Sequence, residues 1–298
     1  MGRELLEQND TAAELVEMGE RVSGFPLRQL CLEGPFEQLT RVLYLQPAIT
    51  VVNLMCWHYL QDLLADFVPA CFAGHSLGEY SALYAAGAVT ARETMALVTR
   101  RGELMEREGS NNPGGMCAIL GLPSGKVDEL AESCDGPGTV VVANYNTPMQ
   151  AVVSGDKEGL DRFCALCREE GAKTVPLKVS VANHSPLVAG AVADFRSFLE
   201  EVAFQLPKVP VLFNVTAKEV TTVEEIRQTM ARQIASPVRW LNIIETMLAD
   251  GVEVFIELGP KKVLTGMMKK IVPRGSAVVC INADTPESIE RAAEVIRG

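Results

Sequence analysis

The sequence predicts an α/β fold in which a mainly parallel sheet is wrapped by helices. First, short apolar runs typical of buried strands alternate with helical stretches, an order that produces parallel sheets. Second, a Gly-x-Ser-x-Gly stretch from Gly74 to Gly78 stands between one such run and a segment of helix formers. Third, the 298 residues are 48% hydrophobic, which is enough for one large core or two smaller ones.

The chain up to residue 114 is predicted to be helical on both sides of a strand that leads into the Gly-x-Ser-x-Gly stretch. Pro47 stands near the first turn of a long apolar helix, where its missing N–H group is not needed. Thr90 and Glu93 have the spacing of a capping box and begin another helix. Residues 111–115, Asn-Asn-Pro-Gly-Gly, are typical of a linker. The predicted elements are helices over 4–23, 49–64, 81–86 and 90–108 and a strand over 68–73.

Residues 115–178 have a pattern of their own. The predicted elements are strands over 116–121, 139–145, 150–154 and 173–177 and helices over 124–133 and 156–170. This βαββαβ order is typical of the ferredoxin-like arrangement. We therefore predict an inserted ferredoxin-like subdomain over 115–178 and a core formed by 1–114 and 179–298.

The last part of the chain returns to alternating strands and helices. Residues 179–184 form a strand-like run that ends at His184. Thr285 followed by Pro286 combines a cap with a proline at the first helical position, so a final helix begins there. The other predicted elements are helices over 186–201, 223–234, 241–250 and 262–271 and strands over 209–214, 252–258 and 277–281.

The composition argues against several classes of function. The net charge of −11 and the isoelectric point of 4.9 disfavour nucleic acid or an anionic membrane as the main partner. No apolar run is long enough for a membrane-spanning helix and no signal peptide is visible, so we expect a cytoplasmic protein. The eight cysteines are expected to be reduced core residues. Cys164 and Cys167 lie in a helix without a second pair or a nearby histidine, so neither a metal site nor a cofactor is expected.

The Gly-x-Ser-x-Gly stretch predicts a nucleophile elbow and, with it, an α/β-hydrolase-like core. A sharp strand-to-helix turn exposes the hydroxyl of Ser76, and Gly74 and Gly78 are expected to leave room where strand and helix meet. The amide of Leu77 then lies at a helix N-terminus, where free N–H groups favour negative charge, so it is the predicted oxyanion donor. The alternative is a chance match in a loop, which the flanking strand and helix disfavour.

A reactive serine needs a base, and the sequence contains three histidines. His58 lies within the long apolar helix, and His75 adjoins the nucleophile in a tight turn, where neighbouring side chains point apart. His184 is therefore favoured as the general base, on a loop before a predicted helix. No acidic residue stands out as a third member, and a backbone carbonyl can orient the imidazole instead.

Six spaced segments carry a family resemblance. They are Gln46-Pro47-Ala48, Gly74-His75-Ser76-Leu77-Gly78-Glu79-Tyr80, Arg101-Gly102, Asn144-Tyr145-Asn146-Thr147-Pro148, Val181-Ala182-Asn183-His184 and Glu257-Leu258-Gly259-Pro260-Lys261-Lys262-Val263-Leu264. Together, and over nearly the whole chain, they resemble the malonyl-CoA:acyl-carrier-protein transacylase family. The resemblance implies a ping-pong transfer in fatty acid biosynthesis: Ser76 takes malonyl from coenzyme A as an ester and passes it to the phosphopantetheine thiol of acyl carrier protein.

The resemblance also implies roles for individual residues. His184 is the base and later the acid, oriented by the main-chain carbonyl of Gln233. Arg101 pairs with the malonyl carboxylate, because a planar guanidinium gives two parallel hydrogen bonds to it and is left unpaired by acetyl. The remaining expected substrate-binding residues are Leu77, His75, Gln46 and Asn144.

Two departures from the family pattern are visible. The family begins with a strand that ends in Gly-Gln-Gly-Ser-Gln, before the segment that Met1–Leu5 matches, and this motif supplies the second oxyanion amide. One such donor is typically worth about 2.7–4 kcal/mol at the transition state, so we expect either a truncated start or an impaired catalyst. Ala182-Asn183 stands where the family often has Pro-Ser or Pro-Phe, which leaves the choice of acyl group open.

Three alternatives remain at this point. A serine hydrolase shares the elbow but does not need Arg101. A polyketide-type acyltransferase uses the same mechanism with another extender unit. A catalytically impaired carrier-protein-binding module follows if the N-terminal oxyanion segment is missing. Docking to an acidic carrier protein requires a basic patch, for which the candidates are Lys261, Lys262, Lys269, Lys270 and Arg274.

Overall fold

The structure, a computed structural model, describes residues 1–298 and consists of two compact units. The first unit comprises Met1–Gly102, Ala203–Val211 and Met247–Gly298. The second comprises Glu103–Val202 and Leu212–Thr246. The predicted division into a core of 1–114 and 179–298 and an insertion of 115–178 stays a prediction.

Helices and short strands follow one another along the chain. The helices are α1 (Arg3–Gln8), α2 (Asp10–Ser23), α3 (Leu27–Leu32), α4 (Phe36–Leu39), α5 (Val42–Leu63), α6 (Gly78–Ala85), α7 (Ala91–Asn111), α8 (Ser124–Glu132), α9 (Lys157–Glu169), α10 (Gly190–Glu200), α11 (Val223–Gln233), α12 (Trp240–Ala249), α13 (Val263–Ile271) and α14 (Pro286–Arg297). The strands are β1 (Phe72–Ala73), β2 (Gly115–Leu120), β3 (Val140–Thr147), β4 (Gln150–Gly155), β5 (Lys173–Pro176), β6 (Val211–Leu212), β7 (Val254–Leu258) and β8 (Val279–Ala283). A one-turn 3₁₀ helix covers Pro186–Val188.

Helix α5 is the central helix of the first unit. It contacts α2, α3, α6 and α14, and its apolar residues Val51, Leu54 and Met55 are almost completely buried. The helix begins at Val42, earlier than predicted, so Pro47 lies inside it rather than at its first turn. None of the helices combines the length and the apolar character needed to cross a bilayer.

The helix predicted over 4–23 is interrupted at Asn9. Asn9 has an extended backbone, and its side-chain oxygen accepts a hydrogen bond from the amide of Ala12 at 3.1 Å. Asparagine caps a new helix in this way more readily than it continues an old one. The segment therefore forms α1 and α2 instead of one helix.

The sheets differ from the predicted single, mainly parallel sheet. Strands β7 and β8 form a parallel pair over Val254–Leu258, and β1 pairs with β6 in a second two-stranded sheet. Strands β1 and β6 have two residues each, fewer than the six predicted for either. Proline is the physical reason: Pro69 and Pro210 lie where these strands would extend, and neither has an N–H group for a ladder.

The largest sheet lies in the second unit and is antiparallel, with the strand order β3-β4-β2-β5. Its elements follow the predicted βαββαβ order, with bounds within two residues of the prediction. Helices α8 and α9 pack on it around a cluster that contains Ile119, Val153 and Phe163. Cys164 and Cys167 are buried in the same cluster, and all eight cysteines are free thiols.

Candidate active site

Ser76 lies in the turn between β1 and α6 with a backbone φ of +48°. A positive φ is uncommon for a residue with a side chain and marks local strain. A Cβ on Gly74 would lie 2.0 Å from the carbonyl carbon of Gly78, so the turn requires glycine at 74. A Cβ on Gly78 would meet no atom within 4 Å. The expectation that both glycines make room is therefore right for Gly74 and wrong for Gly78.

Replacing Gly74 with alanine is expected to destabilise the protein by about 3 kcal/mol, because the new methyl group overlaps the Gly78 carbonyl. The midpoint of urea unfolding measures the loss. Gly78→Ala is the matched control: it adds the same group where there is space and at the start of a helix, so its stability should stay within about 1 kcal/mol of wild type. Equal losses in the two variants would contradict this account of the turn.

The neighbours of Ser76 are held by the first turn of α6. Leu77 is the N-cap residue of that helix, so its amide precedes the helical hydrogen bonds. The carbonyl of His75 accepts a hydrogen bond from the amide of Gly78 at 2.9 Å and closes the turn. Both residues are half-buried, and the Leu77 amide lies where the N-terminal end of the helix dipole favours negative charge.

Arg101 contacts the serine directly. Its Nη2 donates to Ser76 Oγ at 3.0 Å, and its Nη1 donates to Gln46 Oε1 at 2.8 Å. The guanidinium also lies over the ring of Tyr80, 5.6 Å from the ring centroid. Because Arg101 is only 2% exposed, these groups form a buried polar cluster beside the nucleophile.

The close approach of α7 to α5 places Arg101 in this cluster. A Cβ on Gly102 would lie 3.3 Å from the carbonyl oxygens of Val42 and Leu43, so the glycine allows the two helices to approach. Pro47 has no N–H group, and Leu43 O therefore lacks its usual donor within α5. Gln46, which accepts from Arg101, stands one position before this proline.

The electrostatics of the cluster suit a substrate carboxylate. Burial lowers the pKa of Arg101 from its ordinary value, while Tyr80 and Glu79 oppose that shift. Burial raises the pKa of Tyr80, an effect that the charge of Arg101 opposes. Since the guanidinium titrates far above neutral pH, Arg101 carries its charge and Tyr80 stays neutral. The serine therefore has one buried positive charge as its neighbour.

His184 belongs to the second unit, is 3% exposed and has a backbone φ of +58°. Its Nδ1 lies 3.0 Å from the carbonyl oxygens of both Gln233 and Ser236, and its amide donates to Ile234 O at 3.1 Å. Because carbonyl oxygens only accept, Nδ1 carries the proton and Nε2 keeps its lone pair. The ring is thus held in the tautomer that a general base requires at Nε2.

The segment before His184 is not the predicted strand. Residues 177–185 form bends and turns, and a 3₁₀ turn rather than an α-helix follows. The amide of Asn183 donates to Val181 O at 2.9 Å, and that of His184 donates to the end of α11. These amides are used in local and loop contacts, so none is left for a ladder.

The structure groups the predicted residues into two sets. In the first unit, Ser76, Arg101 and Gln46 share hydrogen bonds, and His75 and Leu77 flank the serine. In the second unit, His184 contacts Gln233, while Asn144 is buried in β3 and pairs with Val238 near the same segment.

Two contacts were missing from the sequence prediction. Tyr80 lies beneath Arg101, and its position four residues after Ser76 on α6 is the signal that could have indicated this. The Ser236 carbonyl is a second acceptor for His184. Its signal is Pro237, which was interpreted only as a break between helices.

The Glu257–Leu264 segment is explained by helix capping. The Glu257 carboxylate accepts hydrogen bonds from the amides of Leu264 at 2.9 Å and Thr265 at 2.7 Å, at the start of α13. Asn282 Nδ2 donates to Gly259 O at 3.3 Å and holds the preceding loop. This motif therefore shapes the fold, and Lys261 and Lys262 remain exposed on it.

Comparisons with known proteins agree with this geometry. The acyl transferase domain family matches residues 1–284. The malonyl CoA-acyl carrier protein transacylase of Haemophilus influenzae is 38% identical over 250 residues, covering 84% of this chain and 80% of that protein. The protein of the same name from Bacillus subtilis is 35% identical over 299 residues, covering 100% of this chain and 93% of that protein. A solved complex of a type II PKS acyl-carrier protein with its malonyl-transacylase has a TM-score of 0.94 at 33% identity, covering 99% of this chain and 94% of that one.

Proposed function

Because the chain belongs to the malonyl-CoA:acyl-carrier-protein transacylase family, we propose that it transfers malonyl from coenzyme A to the phosphopantetheine thiol of acyl carrier protein in fatty acid biosynthesis. The observation that carries the proposal is the buried cluster in which Arg101 donates to both Ser76 and Gln46. A hydroxyl next to a fixed cation suits an acyl donor that has its own carboxylate.

In the first half-reaction, Ser76 Oγ attacks the thioester carbonyl of malonyl-CoA while Nε2 of His184 takes the hydroxyl proton. The Leu77 amide donates to the oxyanion of the tetrahedral intermediate. The intermediate collapses, the carbon–sulfur bond breaks, and the imidazolium returns the proton to the sulfur of coenzyme A. The product of this step is a malonyl ester on Ser76.

In the second half-reaction, the phosphopantetheine thiol of the carrier protein attacks the ester. His184 takes the thiol proton and then gives it to Ser76 Oγ as the carbon–oxygen bond breaks. The protein returns to its starting state, and no cofactor is consumed. The same two steps, run with water in place of the thiol, would be hydrolysis.

Arg101 selects the acyl group in this proposal. Its Nη2 releases Ser76 Oγ and, together with the rest of the fork, binds the malonyl carboxylate through parallel hydrogen bonds. An acetyl group has no carboxylate and would leave the buried charge without this partner. Gln46 keeps the guanidinium oriented during the exchange.

Labelling with radioactive malonyl-CoA tests the function. We expect an acid-stable, base-labile label on a peptide that contains Ser76, and its quantitative transfer to added holo carrier protein. Rapid release of free malonate without carrier protein would indicate a hydrolase. No label at all would indicate a module that binds carrier protein without catalysis.

One observation favours a second candidate pathway. The solved complex with a TM-score of 0.94 contains a type II PKS acyl-carrier protein. The same chemistry with another extender unit would make this chain a polyketide-type acyltransferase. Competition between malonyl-CoA and methylmalonyl-CoA for Ser76 separates the two, since a clear preference for the branched unit would favour the polyketide role.

We also propose that the finer architecture follows the sequence prediction. The chain would have an α/β-hydrolase-like core of residues 1–114 and 179–298 and an inserted ferredoxin-like subdomain of residues 115–178. The βαββαβ order and the strand order β3-β4-β2-β5 support the insertion. The cytoplasmic location stays a prediction.

Charge reversal at Lys269 and Lys270 is expected to raise the apparent KM for carrier protein about tenfold, because both side chains lie exposed in the last turn of α13 and would face an acidic partner. Steady-state kinetics at two salt concentrations measures the effect. The control is reversal of Lys173 and Lys178, which changes the net charge equally at exposed positions of the second unit. An unchanged KM in the first variant, or equal changes in both, would remove this patch from the docking proposal.

A further inference from the structure

We infer that the antiparallel sheet of the second unit positions His184, and that Pro237 and Val238 are the positioning residues. This inference rests on the proposed function only in taking His184 as the base. The contacts that carry it all lie within the second unit and join the ring of His184, the segment from Ser236 to Arg239, and strand β3.

The first link is the second acceptor of the imidazole. Nδ1 of His184 has two carbonyl oxygens at 3.0 Å, those of Gln233 and Ser236. The Gln233 carbonyl belongs to the last residue of α11, whereas the Ser236 carbonyl lies beyond the helix. The direction of the second carbonyl is therefore not set by α11 and needs another constraint.

Strand β3 supplies that constraint. The amide of Val238 donates to Ala143 O at 2.9 Å, and the amide of Tyr145 donates to Val238 O at 2.9 Å. Asn144 and Val238 thus form a parallel bridge two residues after Ser236. Val238 is completely buried, so both hydrogen bonds are made away from water, where they are hard to break.

The following residue reinforces the same junction. The amide of Arg239 donates to Asn214 O at 3.0 Å, and its guanidinium lies 5.8 Å from the ring centroid of Tyr145. The hydroxyl of Tyr145 donates in turn to Asp128 Oδ1 on α8 at 2.7 Å. The segment after Ser236 is therefore attached to β3 through backbone and side-chain contacts.

Pro237 transmits this attachment to the Ser236 carbonyl. A residue that precedes proline is restricted to extended backbone conformations, so Ser236 has little freedom to turn its carbonyl away. The proline has no N–H group, and none is needed at this position because the ladder begins at Val238. The sheet, the proline and the carbonyl together keep the proton on Nδ1 and the lone pair on Nε2.

The test is the Pro237→Ala variant in the full chain. We expect kcat for malonyl transfer to fall roughly five- to tenfold, the change that loss of one hydrogen bond brings, with the KM for malonyl-CoA unchanged. In the nitrogen NMR spectrum of ¹⁵N-histidine-labelled protein, the Nδ1–H signal of His184 should weaken in favour of a tautomer mixture. The chain has three histidines, so His184→Gln identifies the signal by its absence.

The matched control is Pro123→Ala, which frees the residue before an exposed proline at the start of α8 and should leave kcat and the Nδ1–H signal unchanged. An unchanged Nδ1–H signal in Pro237→Ala would overturn the inference, whether or not kcat falls, because a fall alone would then be a general structural effect. The NMR readout does not depend on turnover. If wild-type protein transferred no malonyl but Pro237→Ala still shifted the tautomer, the proposed function would fail and the positioning role would stand.

Discussion

Replacing Ser76 with alanine is expected to reduce malonyl transfer by a factor of about 10⁴ or more, because no hydroxyl remains to form the ester. The variant also loses the hydrogen bond from Arg101 Nη2, but that contact is made in the resting protein and is broken when substrate binds. Covalent labelling with radioactive malonyl-CoA, together with steady-state transfer to carrier protein, measures the loss.

Ser81→Ala is the control for that experiment. Ser81 lies on the same helix, α6, and its Oγ accepts a hydrogen bond from Asn53 Nδ2 at 3.1 Å. Removing this oxygen should lower the free energy of unfolding by about 1 kcal/mol and leave labelling intact. An acid-stable malonyl label that persisted in Ser76→Ala would show that another residue is the nucleophile.

Arg101→Ala is expected to reduce malonyl loading by a factor of about 10³ while acetyl loading stays near the wild-type value. The guanidinium is buried, so its pairing with a carboxylate is poorly screened by water, and acetyl does not use it. The substitution also removes the donor to Gln46 Oε1 and leaves a cavity, so the protein should lose stability. The ratio of malonyl to acetyl loading is therefore the quantity to measure, because a loss of folded protein cancels in it.

Two further variants test this role of Arg101. Arg101→Lys keeps the charge but not the planar fork, so most of the malonyl preference should be lost. Arg100→Ala, on the same helix, should keep it, since Arg101 and not Arg100 donates to Ser76. Equal losses of malonyl and acetyl loading in Arg101→Ala would rule out a specificity role.

Features set by near neighbours in the chain could be predicted from the sequence. The capping box at Thr90 and Glu93 is present: the Glu93 carboxylate accepts from the Thr90 amide at 2.7 Å, and Thr90 Oγ1 accepts from the Glu93 amide at 3.2 Å. The βαββαβ order of residues 115–178 could also be predicted, because its strands and helices alternate with clear periodicity. These signals need only a few consecutive residues.

Features set by distant partners could not be predicted in the same way. Asn9 divides the first helix because its side chain finds a local donor that competes with helix continuation. Prolines shortened β1 and β6, so the expected single sheet became separate pairs. Arg100, expected to be a solvated neighbour of Arg101, is half-buried. Each outcome depends on which groups happen to lie nearby after the chain has packed.

The sequence by itself determined that a strained turn presents Ser76, since glycine at 74 and the run into α6 act within a few residues of the serine. Only the tertiary structure decided the partners of the reactive groups. Arg101 reaches Ser76 because Gly102 lets α7 approach α5, and His184 has its proton on Nδ1 because the end of α11 and a segment attached to β3 both offer carbonyl oxygens. Hydrogen bonds act over about 3 Å, and residues far apart in the chain come within that distance only after folding.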